Sequence, residues 1–177
     1  MNSLRFLPII FWLGFVSSGC APVMLASGPA VVASRLTDTS FITSDGAELP
    51  ISRWLGPEPK AIIVALHGFN DYRRFFDAPG QFLSQRQIAC YAYDQRGFGQ
   101  SAHTGFWAGS DTYARDLTEF THLIQARHPG LPVFLLGESM GGAIVIDTMA
   151  RSEKPEVAGV ILSAPAVWGR QTMPWYQ

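Results

Sequence analysis

Cysteine is scarce in this sequence: Cys20 and Cys90 are the only two in 177 residues, which excludes a disulfide framework. Clustered charge is missing as well. Thirteen Lys+Arg stand against 14 Asp+Glu, with no long run of either sign. That argues against nucleic acid as a partner, because phosphate recognition needs a clustered basic footprint. No internal repeat or low-complexity tract is visible. The four histidines, His67, His103, His122 and His128, show none of the short spacings of a helical zinc site. No metal and no cofactor is implied. What is present in quantity is apolar sequence, 47% of the chain, enough for one medium-sized domain with a buried core.

The first twenty residues differ in kind from the rest. "MNSLRFLPIIFWLGFVSSGCAP" carries one basic residue, Arg5, then an apolar stretch from Phe6 to Val16, then small residues leading into Cys20. This is the layout of a secretory signal peptide, expected over residues 1–19. The apolar stretch falls short of the roughly 20 residues that span a bilayer. Residues 6–34 carry no charge, so an uncleaved anchor continuing through "APVMLASGPAVVA" stays open, although Gly19, Pro22, Gly28 and Pro29 disfavour a continuous helix there. "SSGCAP" also resembles the lipobox of bacterial lipoproteins: Ser18 and Gly19 fit the positions before the cysteine, while Ser17 departs from the usual Leu or Val. The expectation is lipidation at Cys20 and an exported protein held at the bacterial cell envelope through its N-terminus; the alternative is an ordinary signal peptide with an incidental cysteine. Residues 20–39, rich in Ala, Ser, Gly and Pro, then read as a tether.

From residue 40 the chain alternates between strand and helix patterns. "SFITSDGAELPISRWLG" predicts two antiparallel strands turning at Asp45-Gly46. Ala61 to Leu66 is a continuous branched apolar run, which fits a strand buried on both faces. A short helix is expected in "APGQFLSQRQ", a strand in "IACYAYD" with Cys90 as a buried apolar filler, and a longer helix capped by Ser110 or Asp111. Tyr113, Leu117, Phe120 and Ile124 share one face of that helix, and Pro129-Gly130 ends it. "LPVFLLG", "SMGGAIVIDTMARS" and "VAGVILSAP" continue as strand, helix and strand. The alternation predicts an α/β fold with a mostly parallel sheet and helices on both faces.

Between one of these strands and its following helix lies Gly137-Glu138-Ser139-Met140-Gly141, a G-x-S-x-G turn in the setting that makes it a nucleophile elbow. Gly137 and Gly141 leave room where side chains two positions either side of the serine would collide. The turn sets Ser139 at a helix N-terminus, where the helix dipole favours developing negative charge.

With this turn, three further motifs occur over residues 40–177: "LHGFND", "YDQRGFGQS" and "GVILSAPA". Together they resemble the N-terminal half of an α/β-hydrolase, most closely the monoacylglycerol lipase and lysophospholipase (serine aminopeptidase S33-like) branch. The resemblance implies a serine ester hydrolase acting on apolar acyl esters through an acyl-enzyme at Ser139. It implies an oxyanion hole made of the backbone amides of Phe69 and Met140. In that family the catalytic histidine follows the nucleophile, so His67 reads as structural, and Asp94, Arg96, Gly97, Gly99 and Ser101 read as a loop held by its own polar groups. His122 and His128 read as surface residues, and His103 takes no role.

One requirement is unmet. A serine hydroxyl needs an adjacent base, and the base needs an orienting acid, in the order Ser, Asp or Glu, His. No histidine follows Ser139, and the only later acids are Asp147, Glu153 and Glu156; Asp147 lies two turns along the helix and the other two flank a Lys-Pro turn. The chain is therefore expected to be part of a longer hydrolase, truncated before the cap and the C-terminal strands and inactive by itself. Trp168, Trp175, Tyr176 and the last strand would otherwise be left uncovered. A haloperoxidase-like or acyltransferase variant of the fold, and a non-catalytic lipoprotein binding domain, are the alternatives.

Overall fold

The computed structural model describes residues 23–168. The expected signal peptide, the lipidation candidate Cys20, and Trp175 and Tyr176 lie outside the described residues. Seven strands form one sheet: β1 (Arg35–Leu36), β2 (Ser40–Ile42), β3 (Glu48–Trp54), β4 (Ala61–Leu66), β5 (Ile88–Tyr93), β6 (Val133–Glu138) and β7 (Gly159–Ser163). Their spatial order is β1-β2-β3-β5-β4-β6-β7. The first three run antiparallel, and β5, β4, β6 and β7 are mutually parallel. The turn between β2 and β3 falls at Asp45-Gly46 as predicted, with Gly46 at φ 85°.

The apolar run of β4 is divided between two layers, because successive side chains of a strand point to opposite faces. Ile62, Val64 and Leu66 enter the larger core. There they meet Tyr113, Leu117, Phe120 and Ile124 of α2 (Ser110–Arg127) and Ile144 and Val145 of α3 (Met140–Ala150). Ile63 and Ala65 enter a smaller core with Cys90, Ala92 and Phe76. Trp54 and Leu83 pack against that cluster from β3 and α1 (Asp77–Ser84). Cys90 is fully buried, and burial pushes its thiol up to about 12, so it remains protonated and acts as a small apolar side chain.

Two expectations change. Helix α2 starts at Ser110 after Gly109 (φ 87°), and no side chain caps it. Asp111 instead lies in the first turn and pairs with Arg151 at 2.8 Å, while the Thr112 hydroxyl accepts the Ser27 N–H. The stretch read as a tether is also not free of the body. Leu25 N–H donates to the Trp107 carbonyl and Trp107 N–H to that of Val23 (2.8 and 3.0 Å), Val31 and Val32 N–H both reach the Ser44 carbonyl, and Arg35–Leu36 forms β1. Backbone hydrogen bonds make this docking, while the side chains of Val23, Met24, Leu25, Val31 and Val32 stay exposed. At the opposite end, β7 is a sheet edge. Val160, Ile161 and Leu162 are exposed on it, and among the described residues no element covers them.

A buried ion cluster joins the hairpin turn to the helical layer. Arg96 donates from Nη1 and Nη2 to both oxygens of Asp45 (2.8 and 2.6 Å) and from Nε and Nη2 to Asp116 on α2 (2.7 and 2.9 Å). Glu119 accepts from the Ser44 backbone at 2.9 Å beside it. One guanidinium thus serves two carboxylates. Hydrogen bonding to Arg96 holds Asp45 well below the usual carboxylate range, whereas burial pushes Asp116 up to about 6. Replacing Arg96 by Met leaves Asp116 buried without its cation and Asp45 with Arg115 at 4.0 Å, and is expected to cost about 3–5 kcal/mol in urea unfolding. Because Asp116 binds its proton more tightly folded than unfolded, its contribution to stability is complete below about pH 4 and is lost as pH rises through about 6. The urea midpoint of Asp116→Asn should therefore fall less than that of the parent between pH 4 and pH 7; parallel falls would exclude this titration.

Candidate active site

Strand β4 leads to β5 on one side, while its other neighbour, β6, leads to β7 on the far side. The chain order reverses between β4 and β6, and in such sheets ligands bind beyond the carboxyl ends of the strands at that point. The two strands are in register there, with Leu66 opposite Gly137. Two short segments emerge side by side: His67-Gly68-Phe69 after β4 and Ser139-Met140 after β6.

Ser139 sits at φ 48°, ψ −112°, a left-handed backbone that residues with a Cβ rarely adopt. The conformation is held from both sides. Its N–H donates to the Ser163 carbonyl (2.9 Å), and its own carbonyl accepts from Ala166 N–H (2.8 Å) and Ala143 N–H (3.2 Å). A Cβ on Gly137 would stand 2.5 Å from the Gly142 Cα, so the expected crowding within the turn is present. Gly141 is constrained differently from that expectation: a side chain there would strike the Leu66 carbonyl of β4. Gly142, not singled out in the sequence, has no room because a Cβ would come 2.8 Å from that of Pro165.

Gly68 closes the gap between the two segments. A Cβ on it would lie 3.2 Å from the Ser139 Cβ and against the Glu138 carboxylate. Glu138 itself, a residue that sequence reasoning passed over, has its carboxylate against Gly68 in the loop after β4. Burial pushes its carboxyl up, with the Asp71 charge adding to the effect. A charged residue ending the apolar run "FLLGE" was the available signal. The backbone N–H groups of Phe69 and Met140 have no hydrogen-bond acceptor among the described residues. The Phe69 ring is exposed and stands edge-on to Phe98 at 5.4 Å, while Met140 is buried at the start of α3.

The histidines do not join this group. His67 is fully buried. Its Nδ1–H donates to the Gly68 carbonyl (2.8 Å), and its Nε2 accepts the Gln95 N–H (3.1 Å). Burial lowers its pKa, so it is a neutral brace between two loops with both ring nitrogens used. His128 is half-buried rather than a free surface residue, bonded to the Tyr91 hydroxyl at 2.7 Å. His122 is exposed on α2, and His103 is exposed with its ring near Phe106. Asp147 is bonded to Arg151 at 2.6 Å, and Glu153 and Glu156 face solvent.

The loop after β5 departs from its reading as self-contained. Ser101 does bond within it, to Phe98 and Gln95. Asp94, however, reaches out to the Arg73 N–H (2.8 Å) and guanidinium (2.5 Å), and Arg96 reaches Asp45 and Asp116. Partners 20 to 51 residues away carried no local sequence signal.

The family described as serine aminopeptidase, S33, matches residues 57–177. The chain belongs to that family. Rat monoglyceride lipase is 34% identical over 130 residues, covering 72% of this chain and 42% of its own length. Monoacylglycerol lipase of Mycolicibacterium smegmatis is 30% identical over 145 residues, covering 77% and 49%. Among solved structures, a thermostable carboxyl esterase from Bacillus coagulans superposes with a TM-score of 0.62 at 25% identity, over 75% of this chain and 44% of that one. The fold is that of the α/β-hydrolases, in the monoacylglycerol lipase branch. The chain spans about half the length of the curated relatives it matches.

Gly137→Ala tests the packing of the S33 elbow in this chain. The added methyl has only backbone to displace, so a loss of about 2–4 kcal/mol in urea unfolding is expected; a neutral result would show that the turn opens freely.

Proposed function

We propose that Ser139 is the nucleophile of a monoacylglycerol lipase or lysophospholipase type hydrolase that cleaves apolar acyl esters. The observation that carries this reading is the left-handed Ser139 backbone, fixed by hydrogen bonds to Ser163 and Ala166 and lying against Gly68. Strain of this kind persists only where surrounding structure enforces it, and it clusters at reacting groups. Ser139 Oγ attacks the ester carbonyl carbon, and the carbonyl oxygen takes up the negative charge. The unpartnered N–H groups of Phe69 and Met140 are the donors for that oxyanion; removing one such donor typically lowers the rate about 100- to 1,000-fold. Collapse expels the alcohol and leaves an acyl ester on Ser139, which water then hydrolyses.

The proton on Ser139 Oγ needs a base. His67 has both nitrogens committed, and no histidine follows Ser139 in these 177 residues. The base and its orienting acid therefore come from outside these residues, and the 177-residue chain by itself does not turn over. Export and attachment to the bacterial cell envelope through a lipidated Cys20 belong to the same proposal, supported by the apolar leader and the small residues before Cys20.

The test is labelling with a fluorophosphonate probe, on this chain and on the chain extended by whatever its gene encodes beyond Gln177. Labelling of the extended form that disappears in Ser139→Ala is expected, with essentially none of the 177-residue form. No labelling of either would overturn the hydrolase reading in favour of a binding domain.

A further inference from the structure

Residues 23–36 form a strap across the body, and the strap is built inside out. Its backbone polar groups face the protein. Leu25 N–H and the Val23 carbonyl pair with Trp107, Ser27 N–H donates to the Thr112 hydroxyl at 3.1 Å, and Gly28 N–H donates to Asp45 at 3.0 Å. Val31 and Val32 N–H both reach the Ser44 carbonyl, at 2.8 and 3.1 Å. Its apolar side chains face water instead: Val23 is 61% and Val31 68% accessible, with Met24, Leu25 and Val32 exposed beside them. No residue from Val23 to Ser34 is charged. Phe106, exposed on the loop that pairs with the strap, shares a cavity wall with Leu25 and extends the same surface. Single exposed apolar residues are ordinary, but an uncharged group of them fixed in place marks an interaction surface.

Chain length identifies what lies against this surface. Cys20 is three peptide links from Val23, a span of at most about 11 Å. Held by lipid on Cys20 or by the apolar leader itself, the attachment point lies in the polar interface of a bilayer, about 5–7 Å deep on each side. A free tether over residues 20–39 would let the body drift away from that interface. The pairing of Val23 and Leu25 with Trp107 removes the slack. The strap is therefore brought to the depth at which apolar faces insert, about 5–10 Å into the headgroup and acyl boundary. There the exposed Val, Met and Leu side chains leave water, while backbone donors already paired with the body lose no hydrogen bond. The S33 match begins at residue 57, so this surface lies outside the part of the chain shared with that family.

We infer that the strap is a membrane-docking surface: Val23, Met24, Leu25, Val31 and Val32 lie in a phospholipid interface and hold the body flat against the bilayer. The inference deepens the anchoring reading given above and rests on it for the nearness of the membrane. It is independent of the chemistry at Ser139.

The test places an environment-sensitive NBD label on single cysteines of the full chain, with any residues its gene encodes beyond Gln177, mixed with phosphatidylethanolamine–phosphatidylglycerol vesicles. Cys20→Ser removes the competing thiol, and Cys90 is buried. Val31→Cys is the deciding site, because a chain held by its leader alone would leave that position in water. On vesicles its label should shift to the blue and be quenched by lipids carrying a headgroup nitroxide. A label at Gln85→Cys, exposed at the end of α1 on the other face of the sheet, should stay in water. Val23→Glu with Met24→Glu should move the docked-to-free ratio read at Val31 about ten-fold or more toward water; an unchanged ratio overturns the docking. A wet Val31 label on a chain that co-sediments with vesicles overturns the docking and leaves the anchor standing, whereas no co-sedimentation overturns both. A Val31 label already dry before vesicles are added shows that protein covers the strap, and overturns the docking as well. Lipid on Cys20 is read separately, as added mass on the unsubstituted chain recovered from bacterial membranes. An unmodified Cys20 beside a dry Val31 on vesicles overturns the lipid anchor alone.

Discussion

The structure depends on one close approach: the loop after β4 lies directly against the turn after β6. Two adjacent parallel strands end in register, and their continuations would collide if either carried ordinary side chains. Glycine at 68, 137 and 141 removes the three Cβ atoms that would meet Ser139, Gly142 and the Leu66 carbonyl. Ser139 can then take a left-handed backbone at the start of α3, beside the backbone amides of Phe69 and Met140, which have no hydrogen-bond acceptor among the described residues.

A second layer of polar contacts keeps that arrangement from relaxing. The Glu138 carboxylate packs against Gly68, and His67 bridges Gly68 and Gln95. Asp94 draws the Arg73 turn onto the loop after β5, and Arg96 fastens the same loop to the hairpin and to α2. Buried ions of this kind are costly to desolvate and gain stability only when every group is paired. Asp116, sharing its guanidinium with Asp45, is the least well compensated member. The apolar loop face with Phe98, Phe106 and Trp107 is presented to Phe69 because this polar clamp holds the other side of the loop, and the Val23–Leu25 strap closes the ladder from outside.

Much of this was legible in the sequence. A run of branched apolar residues identified β4, a strand buried on both faces, and β5 and β6 followed from the alternation of strand and helix patterns. The three- and four-residue spacing of Tyr113, Leu117, Phe120 and Ile124 fixed the buried face of α2. G-x-S-x-G between strand and helix marked Ser139, and the position of His67 before it marked that histidine as a brace. Less visible were features whose partners are distant along the chain. The docking of residues 23–36 had no periodic signal, only scattered apolar residues among Pro and Gly. Ser110 and Asp111 looked like caps by local rule, yet Asp111 and Thr112 are drawn instead to Arg151 and Ser27.

What the sequence by itself determined was the set of elements, their alternation and the tight Gly137–Gly141 turn, since backbone geometry, side-chain period and glycine placement are local properties. The tertiary structure alone decided which strands became neighbours, and hence that Gly68 has no room for a Cβ beside Ser139 and Glu138, and that Arg96 finds two acids. It also decided that Phe69, Phe106 and Trp107 enclose one cavity. These are contacts between segments up to about seventy residues apart, made specific by packing around a twisted parallel sheet, and no stretch of sequence read alone contains both partners.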